Sequence, residues 1–516
     1  MRRLYYSKGK GYGSAGASTR RRAVKGFVSE SGSPREDIDL NNYTLRQRGR
    51  LMYMGSPIAT SAIKTVRTNT VGLGLTVNPR PDVDFLGMGT ERATEWVEKV
   101  KREFALWANK KNTCDITGMN NFYEMQQMLI TSWMMSGDVF ALIDSSEPTP
   151  VSPYRIRLRA IEADRVATPS AATYGRLTTF TEGINPDNGN VIYDGVEVDS
   201  DGRVVAYWIA NVYPDELTNK PLEFTRIEAI GEATGMPNIL HITSTERPEQ
   251  YRGVSLLAPV IIPLLQINRY TEAELTAAVV EAFFTAFIKT EEDASDMPYN
   301  EATLDGEDPE GVSYDPTDYE LGPGTINVMN PGESIELADP KRPASGFASF
   351  VEEIATLIGA ALEIPKDILL KQFNSSYSAS RGALLEAWKT FKMYRRWFVN
   401  DFCQPAYELW MAEAVAIGRI DAPGFFNDPA IRAAWCNTQW IGPSQGQLDP
   451  TKEIQAEVEA CANGFSTHAD SALRINGSDF DANMKQLVRE QEKINQLTQA
   501  AQPEETEVRD AENNEA

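Results

Sequence analysis

Residues 264–288 read LLQINRYTEAELTAAVVEAFFTAFI, a run without proline or glycine. A helix over the whole run would be about 37 Å long at a rise of 1.5 Å per residue. Few of its side chains can form ion pairs one turn apart, so a helix of this length needs neighbours that cover its apolar surface. We therefore predict that this helix packs against other helices and that the chain self-associates.

Two acidic residues of this helix, Glu274 and Glu281, are seven positions apart and therefore share one face. This periodicity is typical of an ordinary solvent-exposed face, and from the residues alone a functional role of the two carboxylates stays open.

A second helix is predicted for residues 347–362, ahead of Pro365, and the segment between the two helices is strongly acidic. Residues 291–320 contain twelve acidic side chains and no basic one, interspersed with prolines. We expect a projecting, turn-rich surface element here. It serves either to dock a basic partner or only to keep the chain soluble.

The N-terminal half combines helical and strand-like patterns. Apolar residues at helical spacing predict helices over residues 45–77, 90–107 and 122–135, the first of them ending near Gly72 and Gly74. From residue 154 to residue 242 the apolar period changes to two, which predicts a β-rich subdomain. Within it, the turn residues 199–202 separate predicted strands over residues 191–198 and 204–209.

The C-terminal half is predicted to be mostly helical. A polar, loop-like stretch over residues 372–380 precedes a long aromatic-rich helix over residues 383–402, which resumes after Pro405 through residue 417. Further helices are predicted over residues 452–462 and 481–499, the latter with one apolar face. The predicted fold class is therefore α+β.

The composition is that of a globular chain. Of 516 residues, 50 are Lys or Arg and 73 are Asp or Glu, which gives a net charge of −23, and 42% are apolar. Four cysteines without paired spacing and only two histidines disfavour a disulfide framework, a zinc ribbon and a three-imidazole metal site. The longest apolar stretch is interrupted by Pro259 and Pro263, so no membrane span is expected, and no secretory signal is recognisable.

Both ends of the chain are highly charged. Residues 1–29 carry eight basic side chains and no acidic one, which predicts either an arm that docks nucleic acid or protein, or a solvated tail. Residues 504–515 carry six acidic side chains against Arg509 and are predicted to form a disordered acidic tail.

Motifs of common enzymes are missing from the sequence. Neither a phosphate-binding G-x-x-x-x-G-K-[ST] loop nor a G-x-S-x-G nucleophile elbow occurs. Carboxylate pairs are expected by chance among 73 acidic residues, so they carry little weight for a glycosidase. We therefore predict a protein without catalytic residues, metal or cofactor, with an acidic hydrolase as a remote alternative.

A series of motifs in a fixed order resembles the portal proteins of lambda-type tailed bacteriophages. The first runs are His241-Ile242, Arg247-Pro248-Glu249-Gln250-Tyr251-Arg252-Gly253-Val254-Ser255, Leu257-Ala258-Pro259 and Tyr270-Thr271-Glu272-Ala273-Glu274-Leu275. The later runs are Pro331-Gly332-Glu333, Leu362-Glu363-Ile364-Pro365, YSASRGALLEAW at residues 377–388, Phe402-Cys403-Gln404-Pro405-Ala406-Tyr407 and Leu448-Asp449-Pro450-Thr451-Lys452-Glu453. The resemblance covers about residues 40–500, and residues 249–251 and the acid-rich segment depart from the family pattern.

The resemblance implies a portal fold with a long helical stem, a β-containing wing, an α/β clip and a helical crown, assembled as a ring, usually of twelve copies. The implied segments are a basic flexible arm (1–40), the wing (41–245), the first stem helix (246–290), an acidic clip-like projection (291–343), the second stem helix with a tunnel loop (344–382), a long helix returning to the wing (383–445), the helical crown (446–500) and an acidic disordered tail (501–516).

The implied function is that of a non-enzymatic channel at one capsid vertex, through which double-stranded DNA is packaged and ejected. The implied partners are further copies of the chain, the large terminase subunit, major capsid and scaffold proteins, head–tail adaptor proteins and the DNA, which passes non-specifically. The implied location is the portal vertex of the virion, and the host cytoplasm during assembly. A different ring-forming head–tail adaptor is the alternative, although adaptors are generally much shorter.

The resemblance also assigns candidate site residues. Because an acidic wall repels DNA and keeps friction low, whereas a basic wall holds the phosphates, the channel should be largely non-sticky. The candidates for the channel lining are Glu274, Glu281, Lys371, Asn374, Ser375, Ser376 and Arg381. The candidates for terminase docking are Glu291, Glu292, Asp293, Asp296, Glu301, Asp305, Glu307, Asp308 and Glu310.

Overall fold

The computed structural model describes residues 17–18, 21–24, 26–27, 31–169, 182–214, 216–282, 286–290, 333–337, 346–373, 376–446 and 449–500. Side chains are described for these residues except 182, 278–282, 286–290, 333–337 and 497–500. The chain divides into two units, one made of Met1–Leu264 and Ala355–Ala516, the other of Leu265–Ile354.

Helices dominate the first part of the chain. They are α1 (Leu40–Gly55), α2 (Pro57–Thr70), α3 (Thr90–Ala108), the single turn α4 (Lys111–Cys114) and α5 (Phe122–Ser136). The predicted helices over residues 90–107 and 122–135 are thus confirmed. The single helix predicted over residues 45–77 is wrong, because Ser56 is extended and Pro57 begins a new helix, where its missing amide hydrogen costs nothing.

Two antiparallel sheets follow. The first has the order β3-β2-β9, with β2 (Asp138–Ser145) between β3 (Ile156–Glu162) and β9 (Ile239–Thr243). The second is a meander of β4 (Glu182–Ile184), β5 (Val191–Tyr193), β6 (Val196–Val198), β7 (Val204–Ala210) and β8 (Phe224–Glu228). The predicted β-rich subdomain is therefore confirmed.

The second sheet contains one more hairpin than predicted. Residues 191–198 form two strands rather than one, because the chain reverses at Asp194 and Gly195, which both have a positive φ. The predicted hairpin between β6 and β7 is confirmed, and Asp199 closes its turn by accepting hydrogen bonds from the backbone amides of Asp201 and Arg203.

The unit Leu265–Ile354 contains most of a long helix, α6 (Ile261–Ala282), and the start of α7 (Phe347–Ala361). Between them, β10 (Ala286–Thr290) pairs antiparallel with β11 (Glu333–Leu337). The helix predicted over residues 264–288 is therefore wrong at its C-terminal end, because residues 286–288 belong to a strand. The helix predicted over residues 347–362 is confirmed.

The remaining elements are α8 (Lys366–Leu369), α9 (Tyr377–Phe398), α10 (Gln404–Ala416), α11 (Pro429–Cys436), β12 (Thr438–Ile441), α12 (Pro450–Ala462), α13 (His468–Asn476) and α14 (Phe480–Ala500). Strand β12 pairs with β1 (Thr76–Pro79). A π-helical turn, Val399–Cys403, joins α9 to α10 and places Pro405 in the first turn of α10, where proline is tolerated.

An aromatic cluster forms the core between α3, α5 and α10. The ring of Phe104 lies edge-on to Trp410 with centroids 5.0 Å apart, and Phe122 stacks on Phe402 at 5.5 Å. Trp107 is fully buried, and its indole nitrogen donates to the backbone carbonyl of Ile156 at 3.0 Å, which ties α3 to β3. Each such side chain contributes about 1.5–3 kcal/mol through burial.

Candidate channel and docking site

The acidic channel candidates lie on α6. Glu274 is half-buried, and Glu281 lies seven residues further along the same face, with its side chain outside the described part. Neighbouring Leu275 is two-thirds exposed, so this stretch of α6 presents an apolar as well as an acidic surface. A helix with an exposed apolar surface of this kind is suited to packing against another chain.

Helix α6 packs against the beginning of α7 through aromatic side chains. The ring of Tyr270 stacks on Phe347 with centroids 5.6 Å apart and lies edge-on to Phe350 at 4.6 Å. The prediction that α6 needs helical neighbours is met by this contact. The two helices form a pair within the unit Leu265–Ile354.

In the chain, the acid-rich segment lies between the paired strands β10 and β11. Thr290 lies opposite Glu333 in the ladder, so the chain leaves and returns at one place. The terminase-docking candidates fall on residues 291–310, which lie outside the described residues; they are Glu291, Glu292, Asp293, Asp296, Glu301, Asp305, Glu307, Asp308 and Glu310. Their role stays a prediction.

The polar stretch over residues 372–380 is only partly a loop. Ser376 is the N-cap of α9, and its hydroxyl oxygen accepts a hydrogen bond from the amide of Ala379 at 3.4 Å. Because this cap satisfies an amide of the first turn, the helix begins at Tyr377 and not at residue 383 as predicted. Two channel candidates, Asn374 and Ser375, lie outside the described residues.

The two basic channel candidates have different surroundings. Arg381 lies on α9 and forms an ion pair with Glu453 of α12 at 3.7 Å, so its charge is partly compensated. Lys371 follows α8 with a positive φ of 56° and is exposed. It lines a groove of 470 Å³ at the junction of α1 and α2, together with Lys64.

Lys64 was not predicted from the sequence. It lies on α2 between the buried residues Ile63 and Thr65, and the hydroxyl of Ser61, one turn before it, donates to the backbone carbonyl of Leu369 at 2.7 Å. This bond holds α8 against α2 and brings Lys64 to the same groove as Lys371. No sequence signal links two lysines so far apart in the chain.

The motif around residues 247–255 proves to be a structural junction. Arg252 is completely buried, and its Nε and Nη2 donate to the carboxylate of Asp138 at 2.7 and 3.1 Å. Its remaining hydrogens reach the backbone carbonyls of Ala163, Val166 and Asp194. All five donors of the guanidinium are therefore satisfied.

Further charged groups surround this pair. Arg46 donates to Asp194 at 2.9 Å and lies 3.9 Å from Asp138. Burial alone would raise the pKa of Asp138. The positive charges of Arg252 and Arg46 outweigh burial and hold that pKa well below its usual value. Burial, reinforced by the charge of Asp194, raises the pKa of nearby Asp39 to about 7. This cluster joins α1, both sheets and the segment that leads to α6.

The departures from the family pattern at residues 249–251 are also structural. Tyr251 stacks on Tyr193 with centroids 5.5 Å apart, and its hydroxyl donates to the backbone carbonyl of Gly202 at 2.9 Å. The side-chain carbonyl of Gln250 accepts hydrogen bonds from the amides of Glu246 and Arg247. The motif therefore anchors the second sheet to the rest of its unit.

The described residues contain no group of three or more His, Cys, Asp or Glu side chains positioned to hold a metal ion. Among the described helices, none combines the length and the apolar character that a membrane span requires. The four cysteines, Cys114, Cys403, Cys436 and Cys461, are free thiols.

Comparison with known sequences supports a single family. A sequence model described as "Phage portal protein, lambda family" matches residues 20–395. Portal protein B of Escherichia phage lambda is 23% identical over 94% of this chain and 89% of that protein. The probable portal protein of Halomonas phage phiHAP-1 is 24% identical over 88% and 81%, and the portal protein of Escherichia phage N15 is 24% identical over 84% and 81%.

Solved structures with a similar chain include the "Virion of native gene transfer agent (GTA) particle" and the "Neck of native GTA particle computed with C12 symmetry". Both matches have 14% sequence identity and cover 85% of this chain and 94% of the other. Their TM-scores are 0.43 and 0.42.

Proposed function

Because the chain belongs to the lambda family of phage portal proteins, we propose that twelve copies form a ring whose central channel carries double-stranded DNA into and out of the capsid. The family is a structural, non-enzymatic component of the phage, so the prediction of a protein without catalytic activity is confirmed by the family match. The observation that carries the proposal is that the match runs from residue 20 to residue 395, through the α6–α7 pair and nearly all of α9.

The α6–α7 pair supports the assignment of the stem. Two helices that pack through Tyr270, Phe347 and Phe350 lead into and out of a two-stranded ladder, and the acid-rich residues 291–320 lie between its strands in the chain. In a ring, this arrangement repeats the acidic segment at one end of the channel. Glu274 and Glu281 then form negative belts that repel the DNA phosphates.

Lys371 and Lys64 add positive charge at one place in a channel that is otherwise proposed to be acidic. Both line one groove beside the loop that precedes α9, and neither has a carboxylate among the residues that line that groove. We place this loop at the channel, where two lysines per copy give weak, non-specific contacts with the DNA backbone. Arg381 contributes less, because Glu453 pairs with it.

The acidic segment is the proposed docking surface for the large terminase subunit. Twelve acidic side chains per copy, repeated around a ring, attract a basic partner and speed its association. Capsid, scaffold and adaptor proteins are proposed partners of the same ring, which assembles in the host cytoplasm and ends at the portal vertex of the virion.

Deletion of residues 295–309 tests the docking proposal. We expect binding of the purified large terminase subunit to fall at least tenfold, while ring assembly stays normal. Deletion of residues 504–515, which also removes acidic charge, is the matched control and should leave docking unchanged. Normal docking by the 295–309 deletion would contradict this assignment.

A further inference from the structure

The last three helices of the described chain have almost no core of their own. Between residues 449 and 496, Ser471 is the one described residue that is buried, although the segment contains many large apolar side chains. Helices of this length gain most of their stability from packing an apolar face. The apolar faces of α12 and α14 are therefore poised for a contact outside the single chain.

Helix α14 exposes one apolar stripe. Met484, Leu487 and Val488 are 44%, 56% and 53% exposed, and at 100° per residue they fall within a narrow arc of the helix. The opposite side carries polar residues such as Gln486, whose amide donates to Glu490 at 2.8 Å. Nearly every residue from 481 to 496 is exposed, and the large apolar side chains among them are gathered on one side of the helix.

Helix α12 exposes a second, different apolar surface. Ile454 and Val458 are one turn apart and 45% and 61% exposed, and Phe465, just beyond the helix, is 86% exposed. Glu457 lies on the same side of α12 as Ile454, and its carboxylate is occupied by hydrogen bonds from Ser471 and Arg474 of α13.

A ring requires two different complementary surfaces on each copy. In a closed ring of identical chains, one surface of each copy contacts a different surface of the next. Resting on the ring proposed above, we propose that the α14 stripe of one copy packs onto the α12 surface of its neighbour. The partner is therefore a second copy of this chain.

The exposed apolar area of the two surfaces is large enough to form part of the interface between neighbouring copies. The three apolar side chains of each surface expose roughly 300 Å², against the about 800 Å² per partner that a stable interface buries. The contact is thus a substantial patch, and other surfaces of the ring supply the remainder. The α14 stripe is apolar, as the cores of permanent oligomer interfaces are.

A charge introduced into the stripe tests the contact. We expect Leu487→Asp to raise the concentration needed for ring formation at least tenfold, as measured by native mass spectrometry. Gln486→Asp, which adds the same charge on the opposite face of α14, is the matched control and should assemble like the wild type. Equal assembly of the two variants would overturn the proposal.

Rescue from the other helix tests the pairing itself. Adding Val458→Lys to Leu487→Asp places opposite charges across the proposed contact and should restore most of the lost assembly. Assembly that remains lost in the double variant, with helix content unchanged by circular dichroism, would overturn the pairing of α12 with α14.

A cysteine pair gives an independent readout. In a Cys461→Ser background the other native cysteines are buried, so Val458→Cys with Leu487→Cys should form a ladder of covalent oligomers on oxidation, while either single cysteine should not. An absent ladder in intact rings would contradict the proposal. If the wild-type chain forms no ring, the proposed function fails, and that result is distinct from a ring in which these variants have no effect.

Discussion

Arg252 and Asp138 form a fully buried, two-pronged ion pair although they lie 114 residues apart in the chain. The pair holds the segment before α6 against β2, the central strand of the first sheet. Its strength comes from complete satisfaction of both partners, since Asp138 also accepts from the amide of Gly253 at 3.0 Å. Removal of one partner would leave a buried charge without compensation.

Arg252→Lys keeps a positive charge beside Asp138 but loses most of the five hydrogen bonds, so it should destabilise the chain by about 1–3 kcal/mol. A lysine ammonium cannot reach the carboxylate and the three carbonyls together. Urea unfolding followed by circular dichroism measures the loss, and Arg203→Lys at an exposed turn is the control. Similar stability of the two variants would refute the structural role of Arg252.

Gly253→Ala should destabilise the same junction. A Cβ at Gly253 would lie 1.8 Å from the carbonyl oxygen of Gly137, which is backbone and cannot swing away. We expect a loss of about 3 kcal/mol or more, typical of severe overpacking. Gly382→Ala in α9 is the control, because its Cβ meets nothing within 4 Å and should stabilise the helix by about 0.5–1 kcal/mol. The melting temperatures of both variants measure the difference: Gly253→Ala should melt below the wild type and Gly382→Ala should not.

Asp39 should make the chain less stable as the pH rises. Burial and the charge of Asp194 raise its pKa in the folded state to about 7, against 3.8 when unperturbed. Between these values the folded chain holds a proton that the unfolded chain has lost, so the free energy of unfolding falls from about pH 4 to pH 7.

Asp39→Asn removes the ionisable group and therefore the loss of stability that its ionisation causes at high pH. The variant should be more stable than the wild type by about 1–3 kcal/mol at pH 8 and little changed at pH 4. Asp37→Asn is the control with the opposite sign, because hydrogen bonds from Gly32 and Arg247 lower the pKa of Asp37. Unfolding at both pH values measures the difference, and a pH profile identical to that of the wild type would count against this assignment.

Charge reversal on α6 should slow DNA packaging. Glu274→Lys combined with Glu281→Lys converts two negative belts into positive ones that hold the phosphates. We expect packaging in vitro to slow several-fold at low salt, with normal rings. Glu272→Lys lies on the opposite face of α6 and should have a smaller effect. Unchanged packaging by the double variant would show that Glu274 and Glu281 do not line the channel.

Much of the helical fold follows from local sequence. Apolar periodicity predicts α3, α5, α7 and α14, because each buries or presents one continuous face. Boundaries set by single residues are harder to predict. Ser56 breaks the first long helix, and the Ser376 cap starts α9 six residues before the predicted position.

The remaining features depend on contacts between distant residues. Residues 286–288 continue the apolar pattern of α6, and the pairing of residues 286–290 with residues 333–337 identifies them as a strand. Similarly, neither the Arg252–Asp138 pair nor the approach of Lys64 to Lys371 leaves a local signal. The order of the motifs points to the portal family, whereas the geometry of these motifs requires the structure.

The native mass of the purified chain, with negative-stain images of the same sample, tests the central claim most directly. Twelve copies of the 57.3 kDa chain weigh about 690 kDa, and we predict particles near that mass with a central hole. A particle that remains at the mass of one chain at high protein concentration and across a range of salt would contradict a ring-shaped channel.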